Sequence, residues 1–380
     1  MSTIKVTHVI TGLDTGGAET MLYRLLRAAS TAGCTSEVIS LTDIGPVGRK
    51  IERLGIPVRA LGLKRSVPSP LAFLRLASWL KRSRPDVVQT WMYHADLLGG
   101  LAASWAGRRN IVWNIRIAEV PRRNRLTIAA MRICAVLSRW LPSRIVCVAE
   151  AAKQAHLGYG YDATRMVVIP NGLDVDEFKA TAADTAALKR KCGLLADDTV
   201  IGWVGRFHPD KGQDNFVKAA ALVAVEHPRA KFLLIGRGCD SGNETLAAWI
   251  NGRGLTERFV LLGERDDIPV CLSAMDVFCM PSSNEGFPNA LAEAMAMGLP
   301  CVATTAGDAA IVTGAAAVLV APRDERALAR GLMDVLAWSP EARRQLGERA
   351  RKRVAEEFSI ARTERRFRNV YEDVLREAGR

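Results

Sequence analysis

The chain has 380 residues, 49% of them apolar, and its 52 basic against 40 acidic side chains give a net charge of +12. Length and apolar content exclude a disordered chain and supply enough core for two domains. The eight cysteines stand apart, with no C-x-x-C pair and no histidine cluster, which speaks against a disulfide framework or a zinc site and for a reduced, cytosolic protein.

Taken in chain order, the amino end "MSTIKVTHVI" lacks the basic-then-apolar pattern of a secretory signal and reads as a first strand. It runs into "VITGLDTGGAET", whose Gly12, Gly16 and Gly17 fall between that strand and a helical pattern from Ala18 to Ala32. Glycine permits close backbone approach, and a helix amino end offers free N–H groups to an anion. Further β-branched runs, "SEVISL", "DVVQT", "NIVWNI" and "RIVCV", alternate with helical patterns such as Pro70 to Ser83. After "DVVQT" comes "WMYHADLLGG", which places His94 at a strand end, as a site residue or as a packed or capping histidine.

Between Arg108 and Arg144 lie Arg108, Arg109, Arg116, Arg122, Arg123, Arg125, Arg132, Arg139 and Arg144 against one acid, Glu119. Apolar residues among them (Ile128, Met131, Ile133, Val136, Leu137, Trp140, Leu141) suggest a basic amphipathic helix. Such a face suits anionic lipid headgroups or a phosphorylated acceptor, or is simply solvated. No nucleic-acid-binding module is recognisable, and basic content alone does not imply one.

After "MVVIPNGLDVDEF" a polar stretch, Lys179 to Asp198, precedes a restart of the pattern with "TVIGWVG", "KFLLIG", "FVLLG" and "VFCMPSS". Alternation of this kind implies parallel sheets covered by helices on both faces. The boundary falls near Asn171 to Phe178 and gives two facing doubly wound α/β domains, residues 1–172 and 173–359. The charged, helical tail, about 360–380, is expected to pack back on the first. Ligands in such sheets bind beyond the carboxyl ends of the strands, so the site is expected in the cleft between the domains. Asp174-Val175-Asp176 is a literal D-x-D, but at the linker it reads better as a turn or helix cap than as a metal site.

In the second half, "VGRFHPDKGQDN" places Gly205, Arg206, Lys211 and Gly212 after a strand, and matches neither G-x-G-x-x-G nor the Walker pattern. It is a turn with surface charges, or a loop whose two cations neutralise a diphosphate in place of a metal. "NEGFPNALAEAMAMGLP" then carries two acids eight residues apart. Gly286 and Pro288 keep Glu285 on a loop; a helix starting near Pro288 or Asn289 puts Glu293 about one turn inside it. The most apolar stretch, Ala309 to Pro322, is too short to span a bilayer.

In order along the chain, "GGAET", "WMYHAD", "VIPNGLDVDEF", "GRFHPDKG", "LIGRG" and "EGFPNALAEAMAMGLPCVAT" resemble the motifs of the large retaining glycosyltransferase family numbered four, which has the GT-B fold. The last is similar to its E-x7-E signature. The resemblance covers almost the whole chain, is dense from Ile145 to Ala321, and is looser in the amino-terminal part, where such enzymes recognise different acceptors.

The resemblance implies that Glu293 holds the ribose hydroxyls of a nucleotide sugar and that Glu285 contacts the transferred sugar. It further implies that backbone N–H groups of Gly286, Phe287, Asn289 and Ala290 line sugar and phosphate, and that Arg206 and Lys211 stabilise the diphosphate leaving group. Backbone near Glu264 and Arg265 would meet the base, His94 would lie near the sugar, and Gly17 beside the donor phosphates. The implied reaction retains anomeric configuration by front-face substitution and needs no metal or other cofactor. Its donor is expected to be a UDP-sugar, with GDP-mannose next, and its acceptor a glycan or polyprenyl-linked molecule of the cell envelope, such as lipopolysaccharide. The enzyme is expected at the cytoplasmic face of the membrane as a peripheral protein. The rivals are a nucleotide-sugar epimerase, which would turn over its donor without an acceptor, and a non-catalytic binding protein, which would bind donor without turnover.

Overall fold

The computed structural model describes residues 3–29, 33–63, 69–118 and 124–379. The chain divides into two compact units, Met1–Gly172 with Ile360–Arg380, and Leu173–Ser359.

In the first unit β1 (Ile4–Ile10), β2 (Cys34–Ser40), β3 (Val58–Ala60), β4 (Val87–Trp91), β5 (Ile111–Ile115), β6 (Arg144–Cys147) and β7 (Met166–Val168) form one sheet, ordered β3-β2-β1-β4-β5-β6-β7. Every pairing is parallel. All residues of β4 and β5 are buried, as near-continuous apolar strands must be when helices cover both faces of a sheet. The covering helices carry their own start and stop signals. In Pro70–Ser83, Ser69 caps the Ala72 N–H, proline occupies the first turn, and Arg84 ends the helix in the left-handed region at φ 48°.

The tail helix Ile360–Ala378 packs against the helix Gly17–Ala29. Phe367 stacks on Trp91 with ring centroids 6.2 Å apart, and the Tyr371 hydroxyl donates to Gln89 Oε1 beneath it. Phe367 is 1% exposed, and burying such a ring contributes about 1.5–3 kcal/mol.

The second unit has β8 (Thr199–Val204), β9 (Ala230–Ile235), β10 (Phe259–Leu261), β11 (Val277–Met280), β12 (Cys301–Thr304) and β13 (Val318–Val320), again all parallel, in the order β10-β9-β8-β11-β12-β13. The order reverses between β8 and β11, so the connections from these two strands leave to opposite sides and open a crevice at their carboxyl ends. Phe232 anchors the core, stacked on Phe259 at 5.0 Å and edge-on to Phe216 at 6.0 Å.

The anticipated fold class, two parallel α/β sheets, is the observed one. The short strands β3, β7 and β13 are edge strands of three residues each, too brief to show a period. The polar stretch from 179 to 198 holds the helix Ala182–Lys191, capped by Thr181, within the second unit. The apolar stretch from 309 to 322 is a five-residue helix followed by β13. No described helix is long and apolar enough to cross a membrane.

Candidate active site

The loops at the carboxyl ends of β8 and β11 are knitted together before any side chain is considered. After β8 the chain passes Gly205 and Arg206 and makes a 3-10 turn, Pro209–Lys211. The Asp210 carbonyl accepts from the Ser283 N–H at 2.8 Å, tying this turn to the loop after β11. Gly212 closes the turn at φ 70°, where a Cβ would stand 2.2 Å from the Pro281 carbonyl oxygen. Only glycine lets the two loops approach so closely. Gln213 braces the other side, its Nε2 donating to the Arg206 carbonyl at 2.8 Å.

This juxtaposition brings Lys211 to Glu285. The Lys211 ammonium lies 2.6 Å from Glu285 Oε1, and Ser282 Oγ donates to the same oxygen at 2.8 Å. Both bonds fall on Oε1, so Oε2 has no protein partner among the described residues. The Glu285 side chain is only 10% exposed, and Lys211 is its ion partner there. Thr304 Oγ1, at the end of β12, donates to the Ser282 carbonyl at 2.5 Å and holds that residue in place. Gly307, at φ 57°, crosses behind Glu285, and a Cβ there would meet the Glu285 carbonyl oxygen at 2.0 Å. Sequence reading missed Ser282 and Thr304; their only signal is that Ser282 precedes Glu285 by three residues.

The remaining candidates of this unit surround the pair. Gly286 accepts from the Asp308 N–H at 3.2 Å. Phe287 buries its ring, 5.6 Å from that of Phe358. The helix Asn289–Ala296 begins with Asn289 and Ala290, with no side-chain cap from Pro288, and Glu293 is its fifth residue. Arg206 is exposed at the end of β8, and its guanidinium makes no ion pair among the described residues. Beyond β10, Glu264 is exposed. The Arg265 guanidinium forks onto Asp267 at 2.8 and 2.5 Å, an arrangement that holds the Asp267 carboxyl below the usual range. Asp174 accepts from the Asp176 N–H at 3.2 Å and caps a short 3-10 turn, so the D-x-D is a backbone device.

In the first unit His94 is the second residue of the helix Tyr93–Trp105, directly beyond β4. Burial lowers its pKa, and its Nε2 is buried without a hydrogen-bond partner. A neutral imidazole with one unmet nitrogen has hydrogen-bonding capacity to spare. Gly17 is exposed and opens the helix Gly17–Ala29, while the nearby Glu19 carboxyl has its pKa raised by burial.

The basic segment needs correction. Arg116 is not part of a basic surface: its guanidinium hydrogen-bonds Asn114 and Asn171 and lies over the Trp91 ring. Met131 is core, and Arg144 pairs with Glu377 of the tail helix. Arg122, Arg123 and Glu119 lie outside the described residues. The helix Arg125–Leu137 does present an amphipathic outer face. Exposed Leu126, Ile133 and Val136 run beside exposed Arg125 and Arg132, which are seven residues apart and so share one side, and exposed Arg139 and Trp140 follow in the turn after the helix.

Two family profiles match the sequence, one described as Glycosyltransferase Family 4 over residues 15–177 and one as Glycosyl transferases group 1 over residues 198–337. The chain belongs to the family 4 glycosyltransferases. Among similar proteins, the Escherichia coli UDP-Gal:alpha-D-GlcNAc-diphosphoundecaprenol alpha-1,3-galactosyltransferase is 30% identical over 249 residues, 64% of this chain and 63% of that one. The lipopolysaccharide core biosynthesis mannosyltransferase LpcC of Rhizobium leguminosarum bv. viciae is 27% identical, over 85% of this chain and 89% of that one. Among solved structures, Anabaena HepE in complex with UDP superposes with a TM-score of 0.85 at 23% identity, covering 97% of this chain and 100% of that one. The two parallel sheets of this family member are those of the GT-B fold.

Proposed function

We propose that the protein transfers a sugar, with retention and without a metal, from a UDP-sugar to a lipid-linked or cell-envelope glycan. The observation that carries this reading is the Lys211–Glu285–Ser282 cluster at the crevice between β8 and β11, flanked by Arg206 and the uncapped start of the helix Asn289–Ala296. The galactosyltransferase and mannosyltransferase relatives support a membrane-bound acceptor, and the UDP held by HepE supports a uridine nucleotide.

In this reading Lys211 spends one of its three N–H donors on Glu285 and has two left for phosphate oxygens. Arg206 adds a second cation, and the N–H groups of Gly286, Phe287, Asn289 and Ala290 supply fixed dipoles. Glu293 takes the ribose, backbone at Glu264 and Arg265 the base, and Gly17 the phosphates. Glu285 Oε2 and His94 Nε2 meet the sugar. The acceptor hydroxyl oxygen attacks C1 on the face the diphosphate is leaving. As the bond from C1 to the phosphate oxygen breaks, that oxygen takes the hydroxyl proton. The protein contributes position and charge stabilisation, and no residue forms a covalent intermediate.

The outer face of the helix Arg125–Leu137 supports docking on an anionic membrane, with apolar side chains entering the interface and arginines meeting headgroups. The deciding experiment is nucleotide release across a panel of sugar nucleotides, with and without undecaprenyl-linked acceptors, in EDTA and then with magnesium or manganese. Acceptor-dependent UDP release that survives chelation is expected. Complete loss on chelation restored by metal, or acceptor-free interconversion of the donor, would refute it.

A further inference from the structure

The motif that places His94, "WMYHAD", contains an acid that the reaction does not use. Asp96 is completely buried. Its Oδ1 accepts from Thr90 Oγ1 at 2.5 Å. Thr90 belongs to β4, so this side chain ties the first turn of the helix Tyr93–Trp105 to that strand.

The turn it secures is strained. Met92, which precedes the helix, has φ 73° and ψ 157°, a conformation normally left to glycine. Such a residue persists only where its surroundings over-determine it, and here they do. The Met92 N–H donates to the Asn114 carbonyl at 3.0 Å, and the Met92 carbonyl accepts from the Asp96 N–H at 2.8 Å. On the other flank of His94, the Tyr93 hydroxyl is fixed against His156 Nε2 at 2.6 Å. The chain on both sides of His94 is therefore bolted down, while the His94 Nε2 is left without a partner.

We propose that Asp96 is a positioning residue: its buried carboxyl fixes the strained helix start and thereby the direction in which His94 presents its open nitrogen. The inference rests on the reading of His94 as a group that meets the transferred sugar. Asp96 has no ion partner, and burial pushes its pKa up to about 8, so near pH 7 it acts as a neutral acid. The titratable groups around it are Tyr93 and His94 on its own helix, Cys134 on the helix Arg125–Leu137, Cys147 on β6, and Tyr161. Burial raises the pKa of both tyrosines and both cysteines, which keeps them uncharged where Asp96 titrates. Oδ2 has no hydrogen-bond partner among the described residues.

The test uses the full chain with three substitutions, His94→Gln, Asp96→Asn and Asp96→Ala. Proton NMR titration follows the five histidines, and the signal missing in His94→Gln identifies His94. In the parent and in Asp96→Asn, the His94 midpoint should stay below the ordinary histidine value; in Asp96→Ala it should rise toward it. UDP release from UDP-glucose and UDP-galactose is measured in parallel. Asp96→Ala should lower kcat about tenfold or more with KM for donor little changed. Asp96→Asn should restore kcat and remove the decline in rate that begins near pH 8 in the parent. If Asp96→Ala does not fold, Thr90→Val, which removes the donor and keeps the shape, replaces it. A parental His94 titration and parental kcat in Asp96→Ala overturn the proposal. Full activity in His94→Gln instead overturns the role of His94, whatever Asp96 does.

Discussion

The two units build their candidate sites by opposite means. In the second, oppositely charged side chains meet directly: Lys211 and Glu285 satisfy one another, and glycines at Gly212 and Gly307 bring their loops together. In the first, a single uncharged imidazole is aimed by backbone strain at Met92 and by a buried neutral carboxyl, and its open nitrogen stays unmet. A charge pair can be completed before a ligand arrives, because each ion offsets the desolvation of the other. A lone imidazole has no such partner, so its direction has to be imposed by the scaffold.

If that contrast is right, the largest effect comes from breaking the pair. Lys211→Ala strands Glu285 and removes a cation from the diphosphate, and kcat should fall by about two orders of magnitude. Steady-state UDP release measures it; a loss below fivefold would show that the pair is only structural. Glu293→Ala should weaken binding of UDP itself by about tenfold, the scale of one hydrogen bond to a charged group. Glu285→Ala, by contrast, frees the Lys211 ammonium for phosphate and should bind UDP as well as the parent or better. Calorimetry with UDP, which has ribose and no sugar, separates the two acids. Equal losses in both, with folding intact by circular dichroism, would end the division of roles.

For the first unit the sharper measurement is stability against pH. Asp96 is protonated in the folded chain up to about pH 8 and ionised in the unfolded chain above about pH 4, so over that window unfolding releases its proton. Its contribution to stability therefore falls as pH rises through the window. Asp96→Asn should remove that slope, which urea unfolding of parent and variant at pH 5 and pH 8 would register. His94 works in the opposite sense. Its folded pKa is depressed, so the unfolded chain takes a proton first and stability is lost as pH drops below about 6.5. The smallest expected effect is at the outer face: each of Arg125, Arg132 and Arg139 changed to glutamine should cost about 1 kcal/mol of affinity for anionic vesicles. Equal sedimentation with neutral and anionic vesicles would remove the membrane from the picture.

How far these features could be read from the sequence depended on their range. The parallel sheets were legible because buried strands of five to seven residues between helical patterns announce themselves, whereas β3 and β13 carry three residues each. Lys211 and Glu285 could each be singled out from local glycine and proline chemistry. Their direct contact could not, since 74 residues separate them and a shared oxygen depends on the crossing of two loops. Arg116 misled for the same reason. It was grouped with the other arginines between 108 and 144, while the groups that draw it inward include Asn171, 55 residues away. Asp96 was hidden inside a motif read for its histidine, because a buried acid looks in sequence like any helix-start acid.

The tail helix has a consequence for how the protein comes into being. The second unit is one unbroken length of chain, 173–359, and all of it has been synthesised before the helix Ile360–Ala378 emerges. The first unit is not: Phe367, stacked on Trp91, and Tyr371, bonded to Gln89, are made more than 270 residues after the strand they cover. Until residues 360–380 have been made, β4 therefore has an uncovered apolar flank, and the second unit has the means to finish folding first. A premature stop near residue 360 would spare the half made last and leave the half made first uncovered.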